Sequence, residues 1–289
     1  MPTPGHLEAG DTAGWKRALP APQRTAFTFL ELLVVIVIIT LVVAMLAPAF
    51  ARTRTNSKAL QCLDNERQMA IGWIMYSGDN SGWLAPNSDG TIAGKTSAHP
   101  AWVAGWLDSR ADVTDNTNTT MLLDHVMWPS GAFLGTYVGN DATVFKCPAD
   151  RSTALQGGVA MFRARSISMN GFVGNPTRAY DGSAKYPAYH KLSQILSPAI
   201  TFVILDEHPA SINDGFFATA PDILYQIVDY PASYHAEAGG FSFADGHSEI
   251  HKWLDPRTMP YSLVLNVSLP GDKDVLWLSQ HAVGLVVYP

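Results

Sequence analysis

Between Phe27 and Phe50 the sequence reads FTFLELLVVIVIITLVVAMLAPAF, 24 residues with a single charge, Glu31. A bilayer core takes about 20 apolar residues as a helix, so this block is long enough to span one. The β-branched stretch from Val34 to Val43 would be equivocal for a helix in water. In lipid the ambiguity disappears, because a lone segment must satisfy its own backbone groups. The block therefore predicts a transmembrane helix over 27–50. A plain anchor and a cleaved secretory signal both use such a segment. Ala49-Phe50-Ala51 has the small-x-small pattern that signal peptidase cuts after, and Arg24 precedes the apolar run. A signal core, however, is about 7–15 residues long and lacks carboxylates.

Glu31 separates these readings. A carboxylate inside a membrane segment costs roughly 2.5–3.5 kcal/mol on insertion scales, so it needs a partner. No Lys or Arg lies within the segment. The partner must come from another chain or from an amino terminus freed by proteolysis.

The run Arg24-Thr25-Ala26-Phe27-Thr28-Phe29-Leu30-Glu31-Leu32-Leu33 resembles the cleavage and methylation motif of type IV prepilins and type II secretion pseudopilins. The resemblance implies that prepilin peptidase cuts between Ala26 and Phe27, and that Phe27 is then N-methylated. Thr28 and Glu31 become the second and fifth residues of the mature chain, and Pro48 is the proline that bends the helix. Ala26 departs from the family pattern, which most often has Gly before the cut. The resemblance also implies a bacterial inner-membrane protein with a cytoplasmic leader and an extracytoplasmic, periplasmic domain. Other pilin or pseudopilin subunits would be its partners in a filament. Charge alone does not orient the chain: Lys16, Arg17 and Arg24 precede the block, and Arg52, Arg54 and Lys58 follow it.

Residues 51–77 contain no proline. Ala59, Cys62, Met69, Ala70, Trp73 and Tyr76 recur at spacings of three, four and seven, which is one face of a helix. Lys58, Gln61, Asp64, Asn65 and Gln68 fall on the other face, and Gly78-Asp79-Asn80-Ser81-Gly82 supplies a stop. From Gly82 onward, Gly, Pro, Asn and Asp punctuate short apolar runs, a pattern of loops and short strands. Strands are predicted over 200–206, 223–228, 240–244 and 247–253. Asp245-Gly246 predicts a two-residue hairpin turn between the last pair, with Phe241, Phe243 and Ile250 on one face and Ser242 and Glu249 on the other. The stretch 86–145 reads as an insertion with little regular structure.

The expected fold class is α+β: a long N-terminal helix whose second half packs on an antiparallel sheet, as in pilins. Its parts are a removed leader at 1–26, the assembly helix at 27–50, its amphipathic continuation at 51–80 and a globular domain at 81–289. His235 stands nine residues before Asp245-Gly246. The segment 235–253 resembles the H-X9-DG region of bacterial prepilin-like proteins. Phe145–Asp150 and Gln61–Asn65 resemble shorter blocks of the same proteins.

Cys62 and Cys147 are the chain's two cysteines. In an oxidising compartment they could form a disulfide between helix and domain, and the alternative is two buried free thiols. The densest polar stretch is Leu205-Asp206-Glu207-His208-Pro209-Ala210-Ser211-Ile212-Asn213-Asp214-Gly215. Asp206, Glu207 and Asp214, with His235 and Asp245 from the hairpin region, form a candidate metal set. Its oxygens suit Ca²⁺, and a borderline metal such as Zn²⁺ would prefer the histidines. The competing reading is ordinary turn capping.

No catalytic residues are expected, because the G-x-S-x-G, H-E-x-x-H and P-loop patterns are missing. A net charge of −6 gives no chain-wide basic footprint for nucleic acid. The sequence thus points to a structural filament subunit rather than an enzyme. The alternative is a tethered or secreted module that binds glycan or metal, released by signal peptidase after Ala51.

Overall fold

A computed structural model describes residues 28–174, 186 and 188–285; within it, the side chains of 46–56 are outside the description. The leader, Ala26 and Phe27 lie outside the described residues, as does the Pro48 side chain. The chain divides into two units, Met1–Ala49 and Phe50–Pro289. Helix α1 (Phe29–Asp79) begins in the first and ends in the second.

In the first unit, the large apolar side chains from Phe29 to Met45 are exposed on every side of the helix. Among the described residues no helix is long and apolar enough to cross a membrane.

In the second unit α1 is amphipathic. Cys62, Glu66, Met69, Ala70, Trp73 and Ser77 are buried at helical spacing, while Leu60, Gln61, Ile71 and Met75 are exposed. The helix closes where Gly82, at φ 82°, donates its N–H to Ser77 O at 2.8 Å.

The centre of this unit is a five-stranded sheet in the order β5-β3-β4-β7-β8. Its strands are β3 (Ile167–Asn170), β4 (Phe202–Asp206), β5 (Phe216–Phe217), β7 (Ala238–Phe243) and β8 (Ser248–Lys252). All neighbours are antiparallel except β3 and β5. Two short ladders flank it, β1 (Thr153–Gln156) with β2 (Val159–Phe162), and β6 (Gln226–Ile227) with β9 (Val267–Ser268).

Alternation along the strands gives the sheet two apolar faces, and each is covered. Met69 and Trp73 of α1 join Ile167, Met169 and Ile204 in one core. Phe202, Leu205, Phe217, Phe241 and Phe243 form the other core with Leu278 and Ala282. These last two belong to α3 (Lys273–Ala282), a helix with no strong signal in the sequence. It starts where Asp272 accepts the N–H groups of Asp274 and Val275. Trp277 of α3 stacks on His251, with ring centroids 3.7 Å apart.

Two expectations change. The stretch 86–145 holds only short helical turns, including α2 (Thr120–Leu123), yet it is part of the core. Trp102 is fully buried, stacks on Phe145 and donates its indole N–H to Gly215 O at 2.9 Å. The hairpin register is also one residue away from that of a two-residue turn. Phe241 faces Glu249, and Gly240 faces Ile250. The loop is the triplet Ala244-Asp245-Gly246, closed by Phe243 N–H to His247 O at 2.9 Å, with Gly246 at φ 93°. The shift puts Phe243 against His247, at a stacked ring separation of 4.3 Å, and moves Ile250 to the opposite face.

Candidate functional site

Among the described residues, two groups of polar side chains bear on function. The first is at the start of α1. Thr28 is the residue before the helix, and Glu31 is its third helical position. The Glu31 carboxylate accepts both the Thr28 N–H and the Thr28 hydroxyl at 2.8 Å. The Glu31 N–H in turn donates to Thr28 Oγ1 at 3.2 Å. This is a reciprocal capping box, and Thr28-x-x-Glu31 is its sequence signature. The single carboxylate of the apolar run thus has an intrachain partner and lies at the positive end of the helix dipole.

The second group lies in the Phe50–Pro289 unit, between α1 and the sheet. Cys62 comes from α1, Cys147 from the loop before β1, Asp206 from the end of β4 and His235 from the approach to β7. All four are buried, and one donor atom from each lies within 4.8 Å of every other. The Cys62 thiol donates to Asp206 Oδ2 at 3.0 Å. Cys147 Sγ is 3.2 Å from His235 Nε2, and that nitrogen is 3.9 Å from Asp206 Oδ2. Two further groups touch the cluster. Gly240 donates its N–H to Asp206 Oδ2 at 3.2 Å, and Ala149 donates its N–H to Cys147 Sγ at 3.4 Å.

The local backbone explains how His235 gets there. Ala236 and Glu237 both take positive φ, 54° and 67°, and His235 N–H closes onto Ala238 O at 3.0 Å. Two consecutive non-glycine residues in this region store strain of order 1 kcal/mol or more each.

The electrostatics of the cluster are those of a closed, water-poor site. Burial lifts Asp206 to about 7 against hydrogen bonds that favour its charged form. The hydrogen bond with Cys147, then burial and the Asp206 charge, push the Cys62 thiol well up. Cys147 also rises, because burial and Asp206 outweigh the lowering hydrogen bond from Cys62. Burial lowers His235, which favours the neutral imidazole. Glu66, one turn along α1, is pushed well up by burial and by Asp206.

Of the five residues expected to hold a metal, the fold brings only Asp206 and His235 into this group. Asp214 is engaged with backbone, its carboxylate accepting the N–H groups of Gly90 and Phe216. Glu207 is buried, and burial raises its carboxyl well above the usual range. Asp245 sits in the exposed hairpin loop, where Oδ1 accepts the His247 N–H at 3.1 Å. The carbonyls of the 206–215 loop are occupied as well: Arg163 donates to Pro209 O at 2.9 Å and Arg165 to Asp214 O at 2.6 Å. Two guanidinium groups thus stand where a hard cation would need free oxygens. Cys62 and Cys147, expected as a disulfide, are adjacent free thiols in the structure. Sequence reasoning placed them together but missed that Asp206 and His235 join them, and no spacing rule links residues so far apart in the chain.

Residues 22–47 match the family model described as the prokaryotic N-terminal methylation motif. No curated protein and no solved structure matches the chain. The matched segment contains the capped helix start at Thr28 and Glu31 and the apolar run that follows. At its N-terminal end this chain therefore carries the prepilin-type cleavage and methylation motif.

Proposed function

We propose that the protein is a pilin-like structural subunit of a type II secretion or type IV pilus-related filament. Prepilin peptidase removes residues 1–26, and the new amino terminus at Phe27 is methylated. The segment 27–50 holds the subunit in the bacterial inner membrane, with the globular domain outside the cytoplasm. Assembly then transfers the apolar helix from lipid into the filament core, where it packs against the same segment of other subunits. In that setting Glu31 exchanges its contact with Thr28 for the cationic amine of a neighbouring Phe27. The exchange neutralises the carboxylate without water and sets the axial register between subunits.

The observation that carries this reading is the motif match over 22–47, with one carboxylate in an apolar run whose side chains are exposed among the described residues. The test is the mature amino terminus in cells with and without prepilin peptidase. N-methylated Phe27, dependent on the peptidase, is expected. A start at Arg52 would replace this reading with a secreted module released by signal peptidase.

A further inference from the structure

We propose that Cys62, Cys147, His235 and Asp206 form a zinc site that ties α1 to the sheet. Two thiolates, an imidazole and a carboxylate match the borderline-soft character of Zn²⁺ and its preference for four ligands. Zinc–sulfur bonds near 2.3 Å and zinc–nitrogen or –oxygen bonds near 2.0–2.2 Å set tetrahedral donors roughly 3.3–3.8 Å apart. Three of the six separations, 3.0, 3.2 and 3.9 Å, bracket that range, and all six are within 4.8 Å, so the donors already surround a space of the size of one ion.

The surroundings are built for a ligated metal. Asp206 Oδ1 and His235 Nδ1 are buried without hydrogen-bond partners. A protein core rarely leaves polar atoms unmatched. The Ala149 N–H aimed at Cys147 Sγ is the outer-shell contact that a metal-bound thiolate accepts. Gly240 keeps the space open: a Cβ there would lie 2.9 Å from both Asp206 Oδ2 and Cys62 Sγ. Cys147 also lines a groove of about 910 Å³ with Lys58, Lys146, Asp150 and Arg163.

A disulfide between the same cysteines explains less. It would consume the Cys62 S–H that Asp206 now accepts and leave that buried carboxylate and His235 without a cation. Zinc takes up both sulfurs, the imidazole nitrogen and the carboxylate at once, releasing the thiol protons. The site depends only on the fold of the Phe50–Pro289 unit and holds whether or not the filament reading does.

The test uses the full chain, purified in detergent without chelators. Metal analysis should find about one zinc per chain. Replacing zinc with Co²⁺ should give a thiolate-to-cobalt charge-transfer band and the intense visible bands of tetrahedral cobalt. Cys62→Ser and His235→Ala should each weaken zinc binding at least about tenfold, while Asp245→Asn leaves it unchanged. Circular dichroism checks that the variants fold, and the cobalt spectrum of the unaltered protein decides the matter if they do not. Metal-free protein that gives no tetrahedral cobalt spectrum would overturn the proposal. So would an intact mass showing a Cys62–Cys147 disulfide in protein isolated from the cell envelope.

Discussion

The Cys62 thiol donates to the Asp206 carboxylate at 3.0 Å across 144 residues of sequence. The contact joins the amphipathic half of α1 to the end of a central strand, and Cys147 and His235 close around it. It adds a polar contact to the apolar packing of Met69 and Trp73 on the same sheet.

Gly240 sits beside that contact, and its substitution tests how tightly the cluster is packed. Gly240→Ala puts a methyl 2.9 Å from Cys62 Sγ and Asp206 Oδ2. Overpacking of this kind costs about 1–3 kcal/mol. Thermal melts should show the loss, and maleimide labelling should find Cys62 more reactive than in the parent chain. An unchanged melting curve would mean the strand shifts freely at this point.

Trp73 tests the docking of α1 on the sheet. Its side chain is fully buried, and its indole N–H has no hydrogen-bond partner. Trp73→Ala should destabilise the domain by about 3–5 kcal/mol. Trp73→Phe keeps a six-membered aromatic ring in the site and loses no hydrogen bond, so it should cost clearly less. Denaturant titration of both variants measures the difference, and equal losses would contradict the packing account.

At Glu31 the capping box predicts a separation of roles. Glu31→Ala removes the acceptors for the Thr28 N–H and hydroxyl and so loosens the helix start. Peptidase cleavage should continue, because the scissile bond precedes this contact. On the proposed exchange, filament assembly should fail, because the Phe27 amine of a neighbouring subunit loses its counter-charge. Electron microscopy and an immunoblot for processing read the two outcomes, and normal filaments from this variant would count against the proposed exchange.

The acid–base behaviour of the domain follows from Asp229 and Asp214, lifted by burial to about 7 and about 6. Each raised carboxyl favours the folded state while protonated. Its contribution is complete below the unfolded value near 3.8 and disappears as pH rises through the folded value. His208 and His281 are lowered by burial and act in the opposite sense near 6.5. Asp229→Asn keeps an oxygen for the Ala218 N–H, a 2.7 Å contact, and removes the titration. The fall in melting temperature between pH 5 and pH 8 should shrink by a few degrees in this variant. Fluorimetric melts across that range provide the check.

The helical part of the molecule was legible in the sequence because its signals are local. Cys62, Met69, Ala70 and Trp73 are buried at the spacing that marks them as one face. Phe202–Asp206 and the Ala238–Lys252 hairpin likewise show as apolar runs bounded by turn residues. The hairpin register was not legible. It depends on whether Asp245-Gly246 forms the whole turn or, as found, the end of a three-residue loop with Gly246 at φ 93°. Helix α3 escaped notice because it is short and mixed in character. Its helical form rests on the Asp272 cap and on Phe241, Phe243 and Trp253 beneath it.

By itself the sequence determined the apolar segment, the lone Glu31 within it, the methylation motif and the amphipathic continuation. All of these are written in residues that are close together in the sequence. Only the tertiary structure decided which polar residues form a site. Cys62, Cys147, Asp206 and His235 come from four separate elements, and their meeting depends on strand order and on how α1 lies across the sheet. Asp206 and Asp214 look equivalent as letters in one short stretch. Burial beside two thiols in one case and capping of backbone N–H groups in the other make them chemically different.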